Sequence, residues 1–322
     1  MILAGIDEAG YGPVLGPLVV GTCAFEMEGD PAAPPACLWK QLRKVVGKKR
    51  SPNGRTLHVN DSKIVYSAGG GLKELERSVL ALLATCGDVP GDLHALLERA
   101  APQVVGEMAG YPWYQMPASE KFPIELDAIG IRLFANALHA EMARAKSHCV
   151  HFAARVVCEG ELNHMFDVTR NKANVLFSVG AGHLDHLLRA YGDKGLVIIC
   201  DRLGGRGHYG SLLRLMFDEW SLEIIEEGES RSEYRLHRRG HAARLVWMEK
   251  AEIQCLPVAA ASMLSKYLRE VMMHRFNAYW KQLLPEVNPT AGYHTDGLRF
   301  LADIEPTRRE LGIGDGRLVR SR

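Results

Sequence analysis

The chain has 322 residues, 47% hydrophobic and 24% charged, with a formal net charge of +1 at pH 7. That length suits one large domain, or a core with an appendage, around a sizeable apolar interior, and the near-zero charge excludes binding to polyanions over the whole surface, so any nucleic-acid contact must come from a local basic patch. Seven scattered cysteines with no C-x-x-C pair argue against a disulfide framework or a zinc site, the acids Asp7 and Glu8 argue against a signal peptide, and no apolar run of about 18 residues spans a membrane; the cytoplasm is the expected compartment.

Residues 2–7 form an apolar run that ends on Asp7 and Glu8 and reads as a buried strand. Carboxylates at such a position cost free energy unless something positive meets them. The turn Gly10-Tyr11-Gly12 frees backbone N–H groups that bind an anion or a hydroxyl. Acids beside free amides suit metal-assisted phosphoryl chemistry; a solvated acidic turn accounts for the same residues equally well. Residues 18–25 read as a second strand, antiparallel to the first across a loop with Pro13 and Pro17. Residues 26–56, rich in Pro, Gly and charge, read as a surface insertion. Asn60-Asp61-Ser62-Lys63 reads as a capped turn with a surface lysine, and 72–84 as a helix after a glycine run. Residues 85–125 carry mixed loop signals and read as a second insertion.

The spacing of Ile129, Leu133, Ala137 and Met142 predicts an amphipathic helix over 128–146. Residues 150–158 read as a strand, 163–169 as a loop and 174–191 as a helix. Residues 196–201 are the clearest buried strand and, like the first, end on a carboxylate, Asp201. Strands are expected at 222–227 and 243–249, separated by a basic segment with Arg231, Arg235, Arg238, Arg239 and Arg244. Between 201 and 222, Gly205-Arg206-Gly207-His208-Tyr209-Gly210 matches the G-x-G-x-x-G outline of a dinucleotide-binding turn, with Glu226 further on. Asp201 would repel a pyrophosphate there, and a glycine-rich surface loop is the plain alternative.

Residues 256–284 give the longest helical pattern. Ser262, Lys266 and Glu270 fall at i, i+4 and i+8 and share one face. A Lys–Glu pair at this spacing is ordinarily a surface stabiliser, yet the Ala-Ala-Ala-Ser start allows close packing. A last helix begins near 296, and the tail is basic, with Arg308, Arg309, Arg317, Arg320 and Arg322. Two strands followed by alternating strands and helices predict an α/β fold with a mixed sheet. Asp7, Glu8, Asp201 and Glu270 are then the acids available to one centre. Four carboxylates neutralise two Mg²⁺ or Mn²⁺ ions, hard cations that prefer oxygen ligands. Spacing alone leaves open whether these positions converge.

Five motifs in order resemble ribonuclease HII, a type 2 ribonuclease H. Asp7-Glu8-Ala9-Gly10-Tyr11-Gly12-Pro13 resembles its DEAGRGP signature, and Asn60-Asp61-Ser62-Lys63 its second motif. The strand ending at Asp201 is similar to the one carrying its third acid, Ala259 to Glu270 resembles its AAASILAKVTRD helix, and Gly292-Tyr293-His294-Thr295 its GYPT-type motif. The resemblance implies a ribonuclease H-like α/β fold: a mixed five-stranded sheet flanked by helices in a catalytic core (1–255, with insertions near 26–56 and 85–125), and a C-terminal helical region (256–322) that completes the active site. It implies an endoribonuclease that cuts the RNA strand of RNA/DNA hybrids, or cuts at ribonucleotides embedded in a DNA duplex, by two-metal hydrolysis that leaves 5′-phosphate and 3′-hydroxyl ends. Asp7, Glu8, Asp201 and Glu270 would hold two Mg²⁺ or Mn²⁺ ions. Gly10, Tyr11 and Gly12 would meet the ribose 2′-hydroxyl, Lys63, Ser262 and Lys266 the backbone phosphates, and Tyr293 would stack near the following deoxyribose. A monomer is expected.

Two positions depart from the pattern. Tyr11 stands where the family has arginine, and Glu270 where ribonuclease HII has aspartate. The related ribonuclease HIII has glutamate there but carries an additional N-terminal domain, whereas this chain begins six residues before Asp7. The Tyr11 departure motivates a second reading, a protein of the same fold that holds hybrids without cutting them. Intact acids argue against it, because clustered carboxylates without metal repel a phosphate backbone.

Overall fold

In chain order the strands are β1 (Ile2–Ala9), β2 (Leu18–Met27), β3 (Val46–Gly47), β4 (Leu57–His58), β5 (Ser147–Val157), β6 (Leu196–Asp201), β7 (Ser221–Glu227), β8 (Arg231–Arg238) and β9 (His241–Met248). The helices are α1 (Leu38–Gln41), α2 (Ser62–Ser67), α3 (Leu72–Ala84), α4 (Leu93–Ala100), α5 (Pro102–Glu107), α6 (Ala128–Arg144), α7 (Glu159–Thr169), α8 (Lys172–Tyr191), α9 (Gly210–Met216), α10 (Leu256–Leu283), α11 (His294–Glu310) and α12 (Asp315–Leu318). The computed structural model describes residues 1–67, 69–115 and 121–321. Part of the 85–125 segment and Arg322 of the basic tail therefore lie outside the described residues.

One mixed sheet runs β5-β2-β1-β6-β9-β8-β7. Its centre is parallel: Ile2 to Ile6 of β1 align with Leu196 to Cys200 of β6, and β6 aligns in turn with β9. The continuous apolar runs of β1 and β6 follow from this, since such central strands are covered on both faces. One face carries α8, the other α10. The flanking pairs, β1–β2, β2–β5, β9–β8 and β8–β7, are antiparallel.

The α/β class and mixed sheet agree with expectation, but the sheet has seven strands rather than five. The segment read only as basic contains β8. Its Tyr234 and Leu236 point inward while Arg235 points out, the period of a strand with one buried face. Charge masked that alternation. The arginines are matched in place: Glu233 accepts from Arg244 Nε at 2.7 Å and from Arg231 Nη2 at 2.6 Å.

Helix α10 lies against β1 and β2 so closely that glycine is required beneath it. A Cβ on Gly5 would meet the Val258 nitrogen at 2.2 Å, and one on Gly21 the Ala261 oxygen at 2.5 Å. Both clashes are with backbone, which cannot swing aside. Gly5→Ala is therefore expected to destabilise the protein by about 3 kcal/mol, the cost of overpacking a close interface, read as a lower denaturant midpoint. The small residues Ala259, Ala260 and Ala261 on α10 serve the same approach, and the helix shares one apolar core with the strands.

Other segments differ from the sequence reading for identifiable reasons. Residues 163–169, expected as loop, belong to α7. There Asn163 is buried and its Nδ2 donates to Gly316 O and Val319 O at 3.1 and 2.8 Å, so tertiary contact outweighs its weak helix propensity. Helix α6 exists, but its buried stripe is Ile131, Ala135, Leu138 and Met142; Ile129 and Leu133 are 74% and 66% exposed. The segment near 26–56 is not merely superficial. It buries Leu38, Trp39 and Leu42, Trp39 Nε1 donates to Val59 O at 2.9 Å, and β3 pairs with β4 in a small parallel sheet. Within 85–125, α4 and α5 form, and Trp113 and Tyr114 are buried against α10.

Candidate active site

Three neighbouring parallel strands, β1, β6 and β9, each deliver an acid at or just beyond the C-terminal edge of the sheet. Ile6 aligns with Cys200, so Asp7 and Asp201 follow side by side, about one strand spacing (~4.8 Å) apart. Asp201 aligns with Met248, and the chain leaving β9 turns through Lys250, which has φ 54°, into a single 3-10 turn, Ala251–Ile253. The Ala251 N–H donates to Asp201 Oδ1 at 3.0 Å, which fastens that turn and sets Glu252 beside Asp201. Asp61, just before α2, also acts on Glu252.

The electrostatics are those of crowded acids. Burial pushes the Asp7 carboxyl well above the usual range, and the charges of Glu8 and Asp201 raise it further; a hydrogen bond with Ser262 opposes them. Burial, then Asp201, raises Glu8 to about 7. Burial, then Asp201 and Asp61, raises Glu252 to about 7. Behind Glu8 lies an apolar cavity of about 20 Å³ lined in part by Ile6, Val20, Leu176 and Trp247. Glu8 Oε2 and Glu252 Oε2 are buried and accept no hydrogen bond. Hard, charge-frustrated oxygens of this kind are the donor chemistry of a divalent cation site. Among the described residues, however, no three His, Cys, Asp or Glu side chains are already gathered into a metal cage.

A pH dependence follows. Glu8 and Glu252 bind protons up to about 7 in the folded chain, whereas a free glutamate releases its proton near 4.5. Between those values the folded state binds more protons than the unfolded one, so their contribution to stability is fully present below about 4.5 and is lost as pH rises through 7. In a chelator, the melting temperature of Glu8→Gln minus that of the wild type should grow from pH 5 to pH 8. Adding Mg²⁺ or Mn²⁺ should shrink that difference at pH 8. A difference independent of pH would show that Glu8 is not held in this environment.

Glu270 stands apart from these acids. Ser262 adjoins Asp7, and Glu270 lies eight residues further along α10, about 12 Å up the helix axis. Its Oε1 accepts from Lys266 Nζ at 2.6 Å, Arg269 Nη1 is 3.7 Å away, and Tyr66 faces it. The expected grouping of four acids is thus realised for Asp7, Glu8 and Asp201, while the carboxylate next to Asp201 is Glu252. Its signal was present in the sequence: it follows the end of a strand, as Asp7 and Asp201 end theirs.

The other expected residues surround this cluster. Ser262 Oγ donates to Ser62 Oγ at 3.0 Å, which ties α10 to α2, and the charge of Lys63 acts on Glu8. Lys266 lies over the Tyr66 ring at 4.9 Å. Gly10 has φ 85°, a conformation that favours glycine, and Gly12 is exposed. Tyr11 is half-buried, and Tyr293 is 49% exposed with the Arg269 guanidinium 5.6 Å from its ring.

Two buried arginines hold the turn that carries Gly10 to Gly12. Arg320 donates to the carbonyls of Gly10, Tyr11 and Gly16, and Arg269 Nη2 donates to Leu15 O at 3.3 Å and Ala291 O at 2.9 Å. Arg269→Met keeps the bulk but leaves the buried Leu15 carbonyl and the part-buried Ala291 carbonyl without this donor. It should cost about 3 kcal/mol, measured as a shift in denaturant midpoint. The G-x-G-x-x-G loop leads to α9, where the Gly210 N–H already donates to Glu227 Oε1 at 3.0 Å. A carboxylate therefore occupies the place that a dinucleotide phosphate would need.

The chain is thus a mixed-sheet α/β protein with an acidic cluster where three parallel strands end. Over its length it is similar to solved structures of ribonucleases HII and HIII. The Archaeoglobus fulgidus RNase HII of a PCNA:RNase HII complex is 16% identical, with a TM-score of 0.44, over 100% of this chain and 95% of that one. Pyrococcus horikoshii ribonuclease H2 is 15% identical, with a TM-score of 0.41, over 99% and 92%. Bst-RNase HIII in complex with Mn²⁺ is 14% identical, with a TM-score of 0.39, over 94% and 62%. No protein-family model and no curated protein matches the chain. No helix among the described residues is long and apolar enough to cross a membrane.

Proposed function

We propose that this protein is a Mg²⁺- or Mn²⁺-dependent endoribonuclease of the type 2 ribonuclease H kind. It cleaves the RNA strand of RNA/DNA hybrids, or ribonucleotides embedded in DNA, and leaves 5′-phosphate and 3′-hydroxyl ends. The observation that carries this reading is the convergence of Asp7, Glu8, Asp201 and Glu252 where three adjacent parallel strands end, with buried carboxylate oxygens that lack any partner. These four side chains would hold the cations. A bound divalent ion supplies Lewis acidity and lowers the pKa of a coordinated water, the chemistry that phosphodiester hydrolysis requires.

The chain's own residues do the rest. Gly10 to Gly12 present peptide groups to a ribose 2′-hydroxyl, the atom that separates RNA from DNA. Lys63 and Lys266 face the phosphates, and Ser262 orients Asp7. The exposed Tyr293 ring offers a stacking surface for the next sugar. Glu270 holds Lys266 in place through their 2.6 Å contact.

Two labelled duplexes, one with a lone ribonucleotide and one with continuous RNA, test the proposal with and without Mg²⁺ or Mn²⁺. Metal-dependent cleavage of either supports it; no cleavage of both overturns it. Tyr11, where the family has arginine, motivates one rival, a protein of the same fold that binds hybrids without cutting them. Tight binding without cleavage would be its signature.

A further inference from the structure

The acidic cluster poses an electrostatic problem for a polyanionic substrate. Lys63 and Lys266 lie toward α2 and α10, and Lys266 is already ion-paired with Glu270. Cations are needed on the opposite rim as well, or the backbone phosphates there meet only carboxylates. That rim is built around Tyr11. The Lys172 ammonium lies over the Tyr11 ring, 4.9 Å from its centre. Gly204 closes against the other end of the ring, where a Cβ would come within 3.4 Å of the tyrosine hydroxyl. Arg206, two residues on, and Glu8 both act on that hydroxyl, so Tyr11 faces a cation and an acid of the cluster at once.

The two cations are held in place. Lys172 opens α8, whose start is capped by Asn171 Oδ1, which accepts from the Asn174 N–H at 3.1 Å. Arg206 donates through Nη2 to Asn174 Oδ1 at 2.8 Å, and its backbone N–H donates to Leu203 O at 2.9 Å. One residue of the first turn of α8 thereby orients the guanidinium that comes from the β6–α9 loop. Ordering of this kind lowers the entropy lost when a phosphate is gripped.

We propose that Lys172, over the Tyr11 ring, and Arg206, whose charge acts on the Tyr11 hydroxyl, form a phosphate clamp that grips the nucleic-acid backbone on the β6–α8 rim of the acidic site. The proposal rests on the reading of the site as acting on a nucleic-acid duplex. It assigns the positive charge at this rim to two segments distant in sequence rather than to the residue in the glycine turn. Lys172 and Arg206 are positioning residues, and no bond is made or broken at them.

The test uses the full-length Asp7→Asn protein, so that binding is read without cleavage. Fluorescence anisotropy of a labelled RNA/DNA duplex is recorded across a salt series. The Lys172→Gln/Arg206→Gln double variant keeps a polar side chain at each position but removes two charges and the Arg206 Nη2 contact to Asn174. Each lost phosphate contact lowers the slope of log K against log salt by roughly 0.7 to 0.9, so the double variant should give a slope shallower by about 1.4 to 1.8 and weaker binding by about tenfold or more. Lys172→Gln/Arg206→Lys restores one charge and should recover about half of that slope. In the active protein the same pair should raise KM and leave kcat nearly unchanged. A slope equal to that of the parent, in a double variant whose melting temperature is also that of the parent, overturns the clamp while leaving the nuclease reading intact. An Asp7→Asn parent that binds no duplex, together with a wild-type protein that cuts none, overturns both.

Discussion

Asp7→Asn is expected to reduce cleavage by about a thousandfold or more, the range seen when a group that stabilises transition-state charge is removed, while the duplex is still bound. Asp7 is the most enclosed acid of the cluster, 8% exposed. It accepts from the Glu8 N–H at 2.8 Å through Oδ1, and Ser265 Oγ donates to its carbonyl at 3.1 Å, so backbone and side chain are both fixed. Asparagine keeps the shape and the acceptor oxygen but loses the charge that would meet a cation. The same change removes a carboxylate that burial and its neighbours disfavour in the charged form. The variant should therefore melt higher than the wild type in chelator, by a margin that grows as pH rises, because only the wild type carries a carboxyl whose ionisation burial opposes. Loss of cleavage with a raised melting temperature separates a catalytic role from a structural one. Undiminished cleavage would remove Asp7 from the site.

Glu252→Gln and Glu270→Gln should differ sharply. Glu252 stands beside Asp201 in a turn pinned by the Ala251–Asp201 hydrogen bond, and its Oε2 is buried without a partner. Glu252→Gln is expected to lower kcat by about a hundredfold or more, with a shift to higher metal concentration for half-maximal rate. Glu270 holds Lys266 at 2.6 Å and is two turns of α10 away from Ser262. Glu270→Gln should act mainly on KM, by about tenfold or less, because it frees Lys266 without touching the acids. The reverse order of effects would make Glu270 the fourth acid and Glu252 a bystander.

The contrast between these two glutamates marks the limit of what was legible. The AAAS helix resembles a known motif, and the acid at its end was the natural candidate. Its place on the helix is a matter of 1.5 Å per residue, and eight residues set it about 12 Å along the axis from Ser262. Glu252 lies in a 3-10 turn after an αL residue, Lys250, with no periodicity to advertise it. Helix α6 shows a similar limit. Its existence was clear, yet Ile129 and Leu133 mark an exposed face, because the stripe that packs is chosen by the neighbouring α3 and β5 rather than by hydrophobicity alone. Strand β8 was hidden by its arginines, whose partners Glu223 and Glu233 lie on β7 and on β8 itself.

Local sequence by itself determined the buried strands near 2–7 and 196–201, the long helices near 174–191 and 256–284, and the placement of acids at strand ends. Those features depend on apolar runs and short-range periodicity, which neighbouring residues encode directly. Only the tertiary structure decided which acids meet, which cations flank Tyr11 and which arginines brace the glycine turn. Those contacts join Asp7 to Asp201, Asp201 to Ala251, and Gly10 to Arg320. Sheet order and strand register bring them together, and both are set by packing across the whole chain rather than by any one segment of it.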